Sequence, residues 1–445
     1  MNKNKKKLFI YSILTIFLLI VSLFYKINLK KIDELKVEED LKEKVIIRLW
    51  MKSSIITPTR GYQIEKFNKT NSDNIYIVYN DYKEDYYNLL RVALATDKGP
   101  DIFEYGFTSL IKNNQIATLD DIGFDYSNID NSSVVRYMDK NIGVKLTETN
   151  VKLIWNKDIF KKAGINPDQP PKTIYELINY AKIIKRKFPD IIPFAFPISE
   201  YKDIKISIGE ACVSNNNIYT SFWDYKRGIY DFKYAEDLLK SYHEMYLLGL
   251  IDKDFDKKSK NQLRSEFYQG KIAILISTFE DKSYFSNILP LSFDIGISDV
   301  FKIRDTDIKE YYYVDNDKFF VINKKSIEDP KKKIAIKKVY EFLLSEETNR
   351  EILSTRNALP LNIKDYNVKN DIYKEYNHVV NFKNENYDPT IFLSRNSSYE
   401  INQIIGAIKG DIKVEQAIKN LNDQYFGYIK FATEKEKFNL SFYKK

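Results

Sequence analysis

The 445-residue chain has one cysteine, Cys212, and two histidines, His243 and His378. A single cysteine excludes an intrachain disulfide and any cysteine-built metal cage. His243 falls within an apolar-faced helical pattern and His378 stands beside Val379 in a loop-like tract, so neither reads as a zinc ligand or a triad member. Walker A loops, G-x-S-x-G elbows and H-E-x-x-H helices are also missing. The acid pairs Asp120–Asp121 and Glu346–Glu347 suit solvated turns and a helix N-terminus better than glycosidase carboxylates. Neither a metal nor another cofactor is expected, and no enzymatic activity.

Acidic residues are absent from the first 31 positions, which hold Lys3, Lys5, Lys6, Lys7, Lys26, Lys30 and Lys31. That stretch accounts for seven of the eight net positive charges, so the body is almost neutral and nucleic acid is not an expected partner. Within it, Leu8 to Tyr25 is a charge-free apolar run, about 27 Å long as a helix, which is enough to span a bilayer core. No A-x-A-like cleavage site and no lipid-anchor cysteine follow it. The preferred reading is an uncleaved signal-anchor with its lysine-rich end inside and the body on the extracellular face of the membrane; the alternative is a cleaved signal and a secreted protein.

Length alone calls for two lobes, because single cores stop growing near roughly 250–300 residues. After a charged spacer at 28–43, Val45–Trp50, Ile75–Tyr79 and Pro100–Tyr105 read as strands separated by helical patterns at Tyr62–Phe67 and Tyr86–Ala95. That order argues for a largely parallel sheet covered by helices. Val151–Trp155 reads as a further strand, Asn156 as the cap of a short helix stopping at Gly164, and Thr173 with Glu176 as a capping box opening the next helix. Later helical patterns cover Tyr234–Leu248 and Leu263–Gln269, followed by a strand over Ile272–Ile276.

The phrase VKLIWNKDIFKKAGINPDQPPKTIYEL, residues 151–177, resembles the family 1 extracellular solute-binding proteins, the receptors of carbohydrate-type ABC importers. Tyr87, Leu90, Ala93, Leu94, Ala95, Pro100 and Asp101 fit the same family, as do EFYQGKIAILIS (266–277), FFVINKKS (319–326) and SEETNREILSTRNALPLN (345–362). Ile404–Gly410 and Val414–Leu421 complete a collinear set running from about residue 45 to 425. The resemblance implies an α/β, type II periplasmic-binding-protein-like fold: two α/β lobes joined by crossover hinge segments, plus the N-terminal transmembrane helix. The chain should cross near 146–152, 314–318 and 361–364. Lobe 1 would then comprise 44–148 and 318–362, and lobe 2 149–317 and 363–445, after a signal-anchor or signal peptide at 1–27.

Ligand in such a fold sits between the lobes, beyond strand ends. The candidate contacts are Trp50, Glu104, Tyr105, Glu148, Asn150, Trp223, Phe279, Glu280, Tyr313, Asp315, Arg395 and Tyr399. Aromatic faces would stack on a sugar, while carboxylates and amides would accept its hydroxyl protons. Two departures from the family pattern stand near them: YYYVDNDK (311–318) replaces a glycine-rich aromatic turn, and Ser277-Thr278-Phe279 replaces a Gly-Pro-Trp-like loop. The implied partners are a small polar solute of carbohydrate type and the ABC permease subunits, with the protein itself a monomer. A second reading keeps the fold and makes the chain a membrane-anchored sensor or interaction module that signals to a membrane partner.

Overall fold

The computed structural model describes residues 13–24, 41, 43–106, 108–214, 217–285, 290–314, 319–371 and 373–445. Of the apolar N-terminal run, residues 13–24 are helical with exposed apolar side chains, and the rest lies outside the described residues. Among the described residues no helix is long and apolar enough to cross a membrane.

The strands that organise the molecule are Val45–Lys52 (β1), Ile75–Tyr82 (β2), Ile102–Glu104 (β3), Ile116–Ala117 (β4), Val134–Tyr137 (β5), Lys140–Val144 (β6), Thr147–Glu148 (β7) and Val151–Asn156 (β8). Ile192–Ala195 (β9), Ile272–Thr278 (β10), Ile295–Asp299 (β11), Phe320–Asn323 (β12) and Leu359–Pro360 (β13) complete them. The helices that cover them are Thr57–Thr70 (α1), Tyr86–Ala95 (α2), Lys157–Ala163 (α3), Ile174–Lys187 (α4) and Glu236–Leu247 (α5). Lys260–Tyr268 (α6), Pro330–Leu343 (α7), Glu346–Ser354 (α8), Ser397–Lys409 (α9) and Val414–Glu436 (α10) follow.

Two sheets result. The first has the order β2-β1-β3-β12-β4; β1 pairs in parallel with β2 and β3, as the alternation of strand and helix patterns predicts. β12 returns from far along the chain and pairs antiparallel with β3 and β4. Ile47, Leu49, Ile77, Ile102 and Ile322 meet Ile336 and Val339 of α7 in one apolar cluster. Burying each such side chain contributes about 1.5–3 kcal/mol.

The second sheet has the order β11-β8-β10-β9, with β8 antiparallel to both neighbours. All six residues of β8 are buried, because the strand is central and covered on both faces. Lys152 is no exception: its ammonium lies 2.5 Å from Asp299 and donates to the His378 carbonyl. Trp155 donates its indole N–H to the Pro167 carbonyl at 2.8 Å, which ties the strand to the proline-set connection. Gly296 of β11 lies flat against this indole, and a Cβ there would overlap the ring.

Local signals behave as their chemistry dictates. The Asn156 side chain accepts from the N–H groups of Asp158 and Ile159, and Gly164 closes α3 at φ +80°. Thr173 caps Glu176 at the start of α4, but the Glu176 carboxylate takes the N–H of Lys172 at 2.6 Å rather than that of Thr173. The expected box is therefore displaced by one residue on its return arm.

Pairings among the passes between the two sheets are seen at β7, Thr149, Lys145 and β13; residues 315–318 of the crossing expected at 314–318 lie outside the described residues. β7 pairs antiparallel with β13, Thr147 opposite Pro360 and Glu148 opposite Leu359. Thr149 bridges Val314, and Lys145 bridges Phe319. The third pass pairs at Leu359–Pro360, just before the 361–364 expected from the sequence.

Candidate ligand site between the lobes

A cavity of about 320 Å³ opens where the two sheets face each other, within the size range of small-molecule sites. The first lobe supplies Ser54, Ile55 and Ile56 from the turn after β1, together with Asn357 and Ala358 after α8. That turn is set locally: the Thr57 hydroxyl accepts the Ser54 N–H at 2.8 Å, and Pro58 stands in the first turn of α1. Thr147 and Thr149 reach the cavity from the first crossing.

The second lobe contributes three segments. Glu200 and Lys202, paired at 2.9 Å, precede a π-helical turn at Lys205–Gly209 that brings in Ile206. Gly209 permits that turn, since a Cβ would overlap the Thr220 carbonyl. Ser259, Lys260, Asn261 and Arg264 come from the start of α6, where Ser259 and Gln262 form a complete capping box. Glu280 follows β10.

Charges here are interlocked. Arg264 directs its Nε and Nη2 onto Asp281 Oδ1, the Nε contact being 2.7 Å, and the Ser277 hydroxyl donates to the other oxygen at 2.8 Å. Lys260 donates to the Thr278 hydroxyl and lies 3.7 Å from both Glu280 and Asp281. Burial pushes the Glu280 and Asp281 carboxyls up, but Lys260, with Thr278 for Glu280 and Arg264 for Asp281, outweighs it and leaves both below their ordinary values. Both are therefore acceptor-only anions at neutral pH. The cavity offers carboxylate acceptors, ammonium and guanidinium donors, hydroxyls and a small aliphatic surface. Among the described residues lining it none is aromatic.

Of the residues expected to meet ligand, only Glu280 lines this cavity. Trp50 is 2% exposed and packs on Tyr82 at 4.7 Å, so it belongs to the core instead, because its strand is interior to the first sheet. Trp223 is fully buried with its indole N–H on the Tyr443 carbonyl, and Tyr313 packs on Phe382. Tyr105 stacks on Phe319 at 4.8 Å, a packing contact with the residue that reopens the first sheet. Phe279 is buried; its N–H rather than its ring reaches the site, through Thr149.

Glu104 is buried and its carbonyl accepts the Tyr86 hydroxyl. Glu148 and Asn150 belong to the crossing: Glu148 pairs with Lys145 at 2.8 Å, and Asn150 donates to the Tyr376 carbonyl at 2.6 Å. Arg395 lies over the Tyr201 ring at 4.3 Å and 3.8 Å from Glu400, beside the Glu200–Lys202 wall but outside the cavity lining. Tyr399 sits in the first turn of α9, away from the cavity, and Asp315 lies outside the described residues. The other lining residues are a mixture of charged, polar and aliphatic side chains from turns, the crossing and the start of α6, of which only the Ser259–Gln262 capping box leaves a local mark in the sequence. Among the described residues no group of three or more His, Cys, Asp or Glu side chains is arranged to hold a metal ion.

Comparison with known proteins agrees with this architecture. The sn-glycerol-3-phosphate-binding periplasmic protein UgpB of Escherichia coli K12 is 31% identical over 137 residues, covering 27% of this chain and 31% of the relative. UgpB of Yersinia enterocolitica is 33% identical over 129 residues, covering 25% and 29%. The chain thus spans under a third of the length of these curated relatives. Among solved structures, the cyclic α-maltosyl-1,6-maltose binding protein of Arthrobacter globiformis superposes with a TM-score of 0.66 at 14% identity, over 87% of this chain and 99% of the other. A family 1 extracellular solute-binding protein of Bifidobacterium longum subsp. infantis gives 0.64 at 20% identity, over 86% and 99%. At such identities the likeness establishes the fold. The profile of the family described as bacterial extracellular solute-binding protein matches residues 53–350, most of the chain, and the chain belongs to that family.

Proposed function

We propose that this protein is the solute-capturing receptor of an ABC importer, holding a small polar solute, a sugar or short oligosaccharide, between two lobes that close on it. The observation that carries the reading is the cavity of about 320 Å³ whose walls come from both lobes and from the crossing between them. A solute touching both walls favours the closed arrangement by the difference in contacts it makes in the two states. The lobes are 44–148 with 318–362, and 149–317 with 363–445. The solute is bound and released unchanged. Permease subunits receive it, and the receptor works as a monomer at the extracellular face of the membrane, held by its N-terminal apolar segment.

Thermal denaturation of the full chain in detergent tests this reading against maltose, stachyose, α-D-tagatose and sn-glycerol 3-phosphate. A bound solute at 100 times its Kd stabilises the folded state by about 2.7 kcal/mol, a clear rise in Tm. Absence of any rise across neutral sugars, oligosaccharides and the glycerol phosphate would remove the basis for the proposal.

A further inference from the structure

Thr149 is the point at which the cavity and the crossing segments meet. Its main chain joins two passes: the Thr149 N–H donates to the Val314 carbonyl at 3.2 Å, and the Val314 N–H donates back at 2.8 Å. The two residues before it pair with the third pass, at Leu359 and Pro360. Its side chain faces the other way. The hydroxyl donates to Glu280 Oε2 at 2.9 Å and accepts the Phe279 N–H at 3.1 Å, so it grips the turn that carries the cavity carboxylate. The Asn150 carbonyl competes for the same proton at 3.3 Å. The carboxylate is nearer and charged, and charge-assisted hydrogen bonds are about twice as strong as neutral ones, so Glu280 wins.

We infer that Thr149 is a positioning residue for solute capture: through Glu280 it links occupancy of the cavity to the relative angle of the three crossing segments. The inference rests on the proposed function. A solute hydroxyl that donates to Glu280 acts on a carboxylate whose Oε2 already accepts from Thr149 and lies 3.7 Å from the Lys260 ammonium. Any turn of that carboxylate changes the bond to Thr149, whose main chain cannot shift without disturbing the Val314 pairing. Thr149 is 2% exposed, so water does not replace the lost partner.

The test measures interlobe distance in the full chain in detergent, with spin labels at Tyr62→Cys on α1 and Leu247→Cys on α5, both well exposed. Cys212 is buried and does not compete for label. Thr149→Val should broaden the ligand-free distance distribution at least twofold, and Thr149→Ser, which keeps the hydroxyl, should restore it. Glu280→Ala should broaden it as well, and the double variant should fall short of the sum of the two single changes, because both remove the same Thr149–Glu280 bond, while Thr149→Val also strips the Phe279 N–H and Glu280→Ala the Lys260 contact. Additive effects, a failure of Ser to rescue, or a native-width distribution in Glu280→Ala would overturn the inference. If Thr149→Val does not fold, the Glu280→Ala and Thr149→Ser results decide it alone. These distances need no solute, so a failed solute screen and a failed Thr149 linkage are read separately.

Discussion

The Tyr443 hydroxyl accepts the main-chain N–H of Met138 at 3.0 Å, fastening the last residues of the chain to the turn between β5 and β6. The carbonyl of the same Tyr443 accepts the Trp223 indole N–H at 3.0 Å, and Lys112 of the first lobe pairs with Glu436 at the end of α10 at 2.6 Å. The C-terminal segment therefore touches both lobes. Met138 holds φ +54°, a left-handed conformation that costs a non-glycine residue roughly 1–2 kcal/mol and persists only where neighbours fix it.

Tyr443→Phe keeps the ring packing on Phe438 and Phe392 but strips the Met138 N–H of its acceptor. The expected loss is about 1 kcal/mol of folding stability. Urea denaturation should show a lower midpoint with an unchanged slope.

Asp281 contributes to the acid limb of the stability profile. Burial raises its carboxyl, but Lys260 and Arg264 outweigh burial and hold it below the unfolded value of 3.8. A carboxyl lowered on folding contributes stability that is fully present above about pH 4 and is lost as pH falls through the lower folded value. Asp281→Asn should therefore lose about 3–5 kcal/mol near neutrality, because a largely buried Arg264 keeps its charge without its partner. It should also show a shallower loss between neutral and acid pH than wild type, measured by urea midpoints at a series of pH values.

The fold was more legible than the site, and particular residues show why. Asn156, Gly164 and Thr173 act on their own immediate backbone, so their spacing alone locates α3 and α4. Trp50 and Trp223 misled because a strand-end aromatic can face either core or cleft, and the choice depends on Tyr82 and Tyr443, which are distant in sequence. The cavity residues Ser54, Thr149 and Lys260 carry no local pattern that marks a ligand contact; tertiary packing alone brings them together.

Gly296 gives a purely steric test. Its missing side chain leaves room for the Trp155 indole, so Gly296→Ala forces β11 away from β8 or turns the ring. Overpacking of this kind costs about 1–3 kcal/mol. Near-ultraviolet circular dichroism of the tryptophan band, together with a lower Tm, should register the displacement; a native spectrum and Tm would mean the sheet absorbs the methyl group without strain.

Substitutions in the cavity and in the core should differ in their effect on solute binding. Trp50→Ala removes a side chain that is 2% exposed beneath Tyr82 and should cost about 3–5 kcal/mol of stability. Lys260→Ala removes a partly exposed side chain at the cavity wall together with the ammonium that offsets the burial of Glu280 and Asp281, so it should lower Tm while leaving a folded protein. Its three ammonium protons serve one hydroxyl, Thr278, at hydrogen-bond distance and two carboxylates at 3.7 Å, leaving donor capacity for a solute oxygen. Losing one charged hydrogen bond to solute, worth about 1.5–3 kcal/mol, should raise Kd roughly tenfold to a hundredfold. Calorimetric titration with whichever sugar of the four-compound screen stabilises the wild type measures this. An unchanged Kd for Lys260→Ala beside a large one for a folded Trp50→Ala would move the binding surface away from this cavity and back toward the aromatic strand ends.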